Sequence, residues 1–272
     1  MAGDLTAVID DLRAESAALT DMVNSAGAHA LATATPAAGW SVGDTIGHLW
    51  FFDQRSIDAL TDPERFVAGL SEVLADPDGY LAAALAEGRA AGDHVLDTFE
   101  STRSRMIAAI RETDPQVKVP WYGPPMGLTS FATARLMETW AHGQDVADAL
   151  GVVRAPSNRL RHICHLGVRT RGFSYAIRGR TAPDVDVFVS LTGPEGDSWE
   201  WGEPAAADRV EGPALDFCLL VTQRRHLADL SLRVAGEAAT EWLSIAQAFA
   251  GTDTLTDPAR IGLSATQLPP AR

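Results

Sequence analysis

The sequence predicts an α+β protein in which a helical N-terminal bundle is followed by a small α/β C-terminal domain. Two observations favour this fold class. Up to about residue 180, apolar side chains recur every three or four positions, which is the spacing of amphipathic helices. From residue 184 onward, the segment DVDVFVSLTG alternates apolar and polar side chains, which is typical of a strand with one buried face.

This change of pattern divides the chain into three segments. We expect a helical bundle at residues 1–180, a small α/β domain at residues 181–254 and a tail at residues 255–272. The tail is expected because the chain after Gly251 is mostly polar and contains several prolines, which oppose regular structure. We find no internal repeat and no low-complexity tract that would divide the chain further.

Start and stop signals define the helices of the first segment. Ser41 is a good N-cap residue, and Asp44 three positions later completes a pattern that resembles a capping box. Gly151 suits the position that follows the end of a helix. Residues 113–127 contain four prolines and should be irregular. The predicted helices span residues 4–25, 42–60, 63–73, 77–90, 92–112, 128–150 and 157–178.

The second segment combines a hairpin with two helices. The turn sequence PEGD separates the alternating runs DVDVFVSLTG and SWEWGE, and this arrangement predicts a β-hairpin. Apolar residues at helical spacing then predict helices at residues 213–230 and 236–251.

The acidic charge of the chain argues against two classes of partner. The 272 residues carry a formal net charge of −14. Nucleic-acid binding requires clustered Lys and Arg to neutralise phosphates, and anionic membrane surfaces also attract basic segments. We therefore expect neither nucleic acid nor a membrane as a partner.

The cysteines and the N-terminus predict a cytoplasmic protein. Cys164 and Cys218 lie in apolar runs, which suits two buried thiols in a reducing compartment better than a disulfide framework. The N-terminal residues carry acids where a signal peptide has bases, and no window reaches the length of a membrane span.

One helix places an acid and an imidazole on the same face. Glu138 and His142 are four residues apart, so their side chains project together. The surrounding residues are largely apolar, which favours an interior position over a solvated polar pair. Such a pair can bind a divalent ion, but a catalytic zinc site usually has three protein ligands. His48, on an apolar helix of its own, is the candidate third ligand, although a lone histidine there is more often an ordinary core residue.

Two acids near these residues have alternative interpretations. Asp145 could accept the other ring N–H of His142 and fix its tautomer, or it could be a solvated acid. Asp44 precedes His48 by four residues and is interpreted as a helix-start acid favoured by the helix dipole.

Two motifs carry a family resemblance. GWSVGDTIGHLWFFD and LMETWAHGQDVADALG resemble the DinB-like, mycothiol-dependent maleylpyruvate isomerase family, whose N-terminal domain is a four-helix bundle. The family has a Trp-Ser-x-x-Asp-x-x-x-His-Leu helix start and a later Glu-x-x-x-His-x-x-Asp run, both present here in that order. The resemblance implies that the metal ligands are His48, Glu138 and His142.

The C-terminal part carries a second resemblance. VEGPALDFCLLVTQRRH is similar to a helix of the family's sterol-carrier-like α/β domain, which ends in Gly-Arg with the arginine facing the metal cleft. The matching residue here is Arg224, preceded by Gln223 instead of glycine. The resemblance implies that Arg224 is a catalytic residue, and a bidentate guanidinium would suit a substrate carboxylate.

The implied chemistry uses a metal and a small thiol. Two histidines and a glutamate suit Zn²⁺, and also Ni²⁺, Co²⁺ or Fe²⁺. The resemblance implies that mycothiol binds the metal as a thiolate and adds to an electrophilic small molecule, as in an isomerase or an S-transferase. Trp50, Trp121 and Tyr122 could form the walls of the cofactor pocket.

Two other functions stay open. The same fold and metal could support a thiol-independent hydrolase, lyase or cyclase that uses metal-bound water, or a non-catalytic protein that binds metal or a small molecule. If the protein is a mycothiol-dependent enzyme, its expected partners are a small-molecule substrate and a low-molecular-weight thiol.

Overall fold

The computed structural model describes residues 4–27 and 29–251 and divides the chain into two units, Met1–Leu150 and Gly151–Arg272. The fold class predicted from the sequence, a helical bundle followed by a small α/β domain, is confirmed. The division after Leu150 differs from the boundary predicted at residues 180/181. The predicted tail lies outside the described residues.

The first unit is helical and is built around four long helices. The bundle consists of α1, α2, α5 and α6, while α3 and α4 connect α2 to α5. The predicted helices agree with these within a few residues at each end. The bounds are α1 Leu5–Ala26, α2 Val42–Thr61, α3 Pro63–Ala75, α4 Pro77–Ala90, α5 Val95–Glu112 and α6 Leu128–Leu150.

The proline-rich segment between α5 and α6 contains a short pairing that the sequence did not predict. Strand β1 (Lys118–Val119) pairs antiparallel with β2 (Met126–Gly127). The prolines Pro120, Pro124 and Pro125 lie between the paired residues, so they interrupt no ladder hydrogen bond. The expectation of an irregular segment was therefore wrong at these four positions.

A buried arginine joins all four bundle helices. Arg103 on α5 donates two hydrogen bonds to Asp53 on α2, at 2.6 and 3.0 Å. It also donates to the hydroxyls of Ser16 on α1 at 2.6 Å and Thr139 on α6 at 2.8 Å. Asp53 is fully buried, and Arg103 is 3% exposed. Both charges are therefore paired inside the bundle.

Two glycines allow α4 to pack directly on α2. A Cβ added to Gly47 would lie 2.8 Å from the Cα of Gly88, and a Cβ added to Gly88 would lie 2.9 Å from the Cα of Gly47. Real Cβ atoms do not approach another backbone so closely, so both positions require glycine. This contact lies one residue before His48.

The second unit consists of a four-stranded sheet with helices packed on it. The strand order is β4-β3-β5-β6, with β3 parallel to β5 and the other pairs antiparallel. The β3–β4 pair is the predicted hairpin. The bounds are α7 Leu160–Arg169, α8 Arg171–Ala176, β3 Val187–Thr192, β4 Ser198–Trp201, β5 Asp208–Pro213, α9 Ala214–Val221, β6 Arg233–Ala235 and α10 Glu237–Ser244.

Three predicted helices of this part are shorter or divided. The helix expected at residues 157–178 is interrupted at Thr170 and becomes α7 and α8. The helix expected to continue to residue 230 ends at Val221, because Gln223 adopts φ 57° and the N–H of Arg224 bonds to the carbonyl of Leu219 at 2.7 Å. That arrangement is a Schellman C-cap. Helix α10 ends at Ser244, before the predicted residue 251.

Packing within the second unit explains the position of the boundary. A Cβ added to Gly167 on α7 would lie 2.9 Å from both Phe217 and Val221 on α9. Helix α7 therefore packs tightly on the second unit's own helix. The apolar pattern of residues 157–178 predicted a helix correctly but did not indicate which neighbour it would contact.

The two cysteines meet inside this packing. Cys164 on α7 and Cys218 on α9 are both buried thiols, and their sulfur atoms lie 3.4 Å apart. Burial raises the pKa of the Cys218 thiol, with a further contribution from Cys164. Cys218 is thus a packing element rather than a reactive thiolate.

Among the described residues, no helix is both long enough and apolar enough to cross a bilayer.

The contact between α2 and α4 generates a stability prediction. We expect Gly88→Ala to lower the free energy of unfolding by about 1–3 kcal/mol, because the new methyl group must displace backbone. Chemical denaturation monitored by circular dichroism measures this change. Gly69→Ala on α3 is the control, since its added Cβ meets nothing within 4 Å. That variant should match or exceed the parent's stability, and equal losses in both variants would contradict the prediction.

The Arg103 network generates a second prediction. Asp53→Asn leaves a buried guanidinium without its counter-charge, and we expect a loss of about 3–5 kcal/mol in unfolding free energy. Asp10→Asn provides the comparison, since Asp10 pairs with Arg111 on the surface and should contribute less than about 1 kcal/mol. A buried pair that costs no more than the surface pair would show that the network does not stabilise the bundle.

Candidate metal centre

The start of α2 determines where His48 projects. The Ser41 hydroxyl accepts from the Asp44 N–H at 3.1 Å, and the Asp44 carboxylate accepts from the Ser41 N–H at 2.9 Å. This is a complete capping box. Burial raises the pKa of Asp44, but hydrogen bonds from Arg89 and Ser41 outweigh it and lower the pKa overall. Asp44 is therefore the helix-start acid expected from the sequence, and His48 lies one turn after it.

Helix α6 presents the other two candidate ligands. Glu138 Oε2 and His142 Nε2 are 3.5 Å apart, which is the consequence of their four-residue spacing on one helix face. The Glu138 side chain is 22% exposed and that of His142 is 14% exposed. Both groups are partly accessible, although α6 is otherwise mostly buried.

The structure brings the three predicted ligands together. One ligand atom each of His48, Glu138 and His142 can be chosen so that all lie within 4.8 Å of one another. The rings of His48 and His142 have centroids 4.7 Å apart. Ligands of a tetrahedral zinc ion at bond lengths of about 2.1 Å are separated by about 3.4 Å. The observed spacing therefore requires only a small closure to hold one ion.

The charge of Glu138 suits this role. Burial raises the pKa of Glu138, but the hydrogen bond and charge of His142, together with Arg135 and His48, lower the pKa to about 2. The carboxylate is therefore ionised at neutral pH and available as a ligand oxygen.

Asp145 supports His142 from the opposite side of the ring. Its Oδ2 lies 3.3 Å from His142 Nδ1, and the Asp145 side chain is only 1% exposed. A carboxylate at Nδ1 leaves Nε2, the nitrogen nearest Glu138, directed toward the other ligands. Of the two interpretations of Asp145 offered by the sequence, the solvated acid is wrong.

Two aromatic residues beside the ligands were not predicted as site residues. The ring of Trp40 lies nearly parallel to His142, at 8° and 6.3 Å, and 5.2 Å from His48. The ring of Phe52 lies 4.8 Å from His48. Trp40 directly precedes the N-cap residue in the family motif, so its position could have been inferred from that motif.

The predicted pocket residues occupy different places. Tyr122 contacts Phe52 with a centroid distance of 5.8 Å and shares a 2.6 Å hydroxyl contact with Tyr80. Trp121 stacks on Phe66 at 5.6 Å. The ring of Phe52 contacts those of Trp121 and Tyr122, and it also contacts His48, so it connects both loop residues to that ligand. Trp50 instead packs against the hydrophobic cluster of α1, α2 and α5.

A separate cleft of about 400 Å³ lies between α2, α3 and α4. Its lining includes Arg55, Phe66, Tyr80 and Tyr122 and none of the three candidate ligands. Tyr122 is the residue through which this cleft adjoins the aromatic group around Phe52.

Arg224 belongs to the second unit and is buried, with 6% of its surface exposed. It donates to the carbonyl of Thr222 at 2.5 Å. The preceding Gln223 keeps the positive φ that favours glycine, and its amide donates to the carbonyl of Ala246 at 3.2 Å. Gln223 therefore adopts a left-handed conformation that glycine adopts without steric cost. That Arg224 acts on a substrate stays a prediction.

The donor set fits a divalent ion. Two imidazoles and an ionised carboxylate are preferred ligands of Zn²⁺ and its neighbours in the first transition series. Polar groups that are mostly removed from water are costly unless they bind a cation or each other. Fold and site together therefore define a helical-bundle protein with a candidate divalent-metal centre.

Comparison with known proteins identifies the family. A model of the mycothiol maleylpyruvate isomerase N-terminal domain matches residues 12–147, which is half of the chain. A model described as wyosine base formation matches residues 183–234. Two uncharacterized proteins from two strains of Mycobacterium tuberculosis are 46% identical to the chain over 244 residues, covering 89% of it and 95% of each relative. The chain belongs to the mycothiol maleylpyruvate isomerase N-terminal domain family.

Solved structures show the same fold. The crystal structure of the mycothiol-dependent maleylpyruvate isomerase aligns with a TM-score of 0.51 at 15% identity, covering 80% of this chain and 88% of that chain. A mutant of that enzyme aligns with the same TM-score at 14% identity. The family predicted from the two sequence motifs is thereby confirmed.

The contact between Asp145 and His142 generates a prediction. We expect Asp145→Asn to lower Zn²⁺ affinity by about 10- to 100-fold, because the imidazole loses the carboxylate that orients it and raises its basicity. Titration against a competing chelator measures the affinity. Asp148→Asn removes an equally buried charge one turn away and should leave affinity near the parent value. Equal effects in both variants would assign the loss to general charge.

Proposed function

We propose that the protein is a metal-dependent, mycothiol-using isomerase or S-transferase that acts on an electrophilic small molecule. The observation that carries the proposal is the convergence of His48, Glu138 and His142 in a chain of this family. A mycothiol-dependent maleylpyruvate isomerase has this fold, and the match to the N-terminal domain family of such isomerases supports the thiol and the reaction class.

The bundle residues would hold the ion and leave one position open. His48, Glu138 and His142 supply three ligands, and Asp145 orients His142. A divalent ion bound there would lower the pKa of a thiol and so supply a sulfur nucleophile at neutral pH. Zn²⁺ is the preferred candidate, while Ni²⁺, Co²⁺ and Fe²⁺ share the same ligand chemistry.

The proposed reaction balances without an oxidant. The thiol sulfur forms a bond to an alkene carbon conjugated with a carbonyl, and the alkene electrons move to the carbonyl oxygen. In an isomerase, rotation about the former double bond follows, the electrons return and the carbon–sulfur bond breaks. In an S-transferase, the neighbouring carbon takes a proton and the conjugate is released.

Other residues of the chain take supporting roles in this proposal. Arg224 would bind a substrate carboxylate as a bidentate donor. Trp121 and Tyr122 would exclude water beside Phe52, and Trp50 would support the same helix from the core side. A cytoplasmic location is proposed on the two buried thiols. The partners would be a small-molecule substrate and a low-molecular-weight thiol.

Metal analysis and a thiol-addition assay test the proposal. We expect the purified parent to bind about one divalent ion per chain and to catalyse reaction of mycothiol with maleylpyruvate or another unsaturated acid. Glu138→Gln should lower metal affinity and activity together by at least about tenfold, since a neutral amide is a poorer ligand. Glu100→Gln, an exposed change on α5, should match the parent.

Three results would contradict the proposal. A parent with no stoichiometric metal, or a Glu138→Gln variant that binds metal like the parent, would remove the proposed centre. Metal-dependent turnover of an unsaturated acid or ester without any thiol would instead support a hydrolase, lyase or cyclase.

A further inference from the structure

Arg135 is a buried cation without a hydrogen-bonding partner. It lies on α6 and is 4% exposed. Within residues 4–27 and 29–251, its guanidinium forms no hydrogen bond and no ion pair, and its Nε is sealed from solvent. Arginine has five N–H donors and is seldom buried unless they are used. This side chain therefore lacks the partner that its burial requires.

The nearby carboxylates are already engaged. Asp53 uses both oxygens to accept from Arg103, at 2.6 and 3.0 Å. Glu138, one turn after Arg135, faces His142 at 3.5 Å and belongs to the candidate metal centre. Burial lowers the pKa of Arg135, whereas the negative charges of Glu138 and Asp53 act to raise it. Neither acid supplies a direct contact.

The position of Arg135 relates it to the metal centre. Residues 135, 138 and 142 have the i, i+3, i+7 spacing of a single helix stripe, so Arg135 shares the face of Glu138 and His142. The guanidinium carbon lies 5.8 Å from the ring centroid of Trp121. The side chain is thus located between the ligand-bearing turn and the aromatic loop.

A purely structural role fits these observations poorly. A buried unpaired charge destabilises a fold, and an apolar residue of similar size would usually be at least as stable. The cation–π contact with Trp121 offsets only part of that cost. An anionic ligand would complete the missing contacts with a charge-assisted, bidentate geometry.

We propose that Arg135 is an anion-binding residue beside the candidate metal centre and holds a carboxylate of the electrophilic substrate. The inference rests on the proposed function for the identity of that substrate as the thiol acceptor. The ligand class follows from the guanidinium itself, which matches a carboxylate with two parallel hydrogen bonds. Arg135 is a binding residue in this proposal and takes no part in bond making.

Calorimetric titration of the full-length, metal-stripped protein at about pH 8 tests this role without requiring turnover. Succinate is the probe and its neutral analogue succinamide is the reference. We expect the parent to bind succinate at least about tenfold more tightly than succinamide. Arg135→Met should weaken succinate binding by about 10- to 100-fold, which is the range for charge-assisted hydrogen bonds. Arg135→Lys should retain part of the affinity.

Two further measurements separate binding from structure. Arg105→Met removes an equal charge from the exposed side of α5 and should bind succinate like the parent. Thermal denaturation of Arg135→Met should give a midpoint equal to or above the parent's, because an unpaired buried charge is removed. A structural role for Arg135 predicts the opposite, a lowered midpoint with unchanged succinate affinity.

The outcomes distinguish this inference from the proposed function. Absence of a succinate preference in the parent, or unchanged binding by Arg135→Met, would overturn the role of Arg135 whether or not the protein binds metal. Loss of metal binding in Glu138→Gln would still support the metal centre in that case. Conversely, a parent that binds succinate through Arg135 but no metal would support this inference and contradict the proposed function.

Discussion

The bundle depends on the contacts of Arg103 at its centre. Its guanidinium bonds to Asp53, Ser16 and Thr139, so one side chain from α5 reaches each of the other three bundle helices. Thr139 directly follows Glu138 in the chain. The bond to Thr139 therefore restricts the rotation of α6 about its axis, and this rotation determines where Glu138 and His142 project.

Two buried arginines, one on α5 and one on α6, have opposite environments. Arg103 has its charge compensated by a bidentate carboxylate and two hydroxyls, and it contributes to the order of the bundle. Arg135, one turn before the candidate ligands, is buried with none of these contacts in the described part of the chain. Buried polar groups without partners are uncommon in native proteins, so this contrast identifies the region of Arg135 as a candidate binding site.

The sequence predicted those features that repeat locally. Helices α2 and α6 were predicted almost to the residue, because apolar periodicity coincides with a capping box at the start of α2 and with a glycine after the end of α6. Strand β5 was missed because its sequence is mostly polar or glycine and proline, and only Val210 is fully buried. Its pairing with β3 is long-range, so no local pattern reports it.

The same distinction applies to the candidate site. His48, Glu138 and His142 were predicted because their motifs are contiguous and their spacing is helical. The importance of Arg135 could not be predicted in this way. It depends on Asp53 being occupied by Arg103, and these two residues lie on different helices and are fifty positions apart. Such competition between partners becomes visible only when all the side chains have been placed.

The pair of cysteines has a consequence for how the proposed chemistry obtains its sulfur. The chain contains two cysteines, both enclosed between α7 and α9 of the second unit. A nucleophilic sulfur in the first unit must therefore arrive with a diffusible cosubstrate. Peroxide that attacked that sulfur would destroy a replaceable small molecule, and the polypeptide itself would survive to take up the next one.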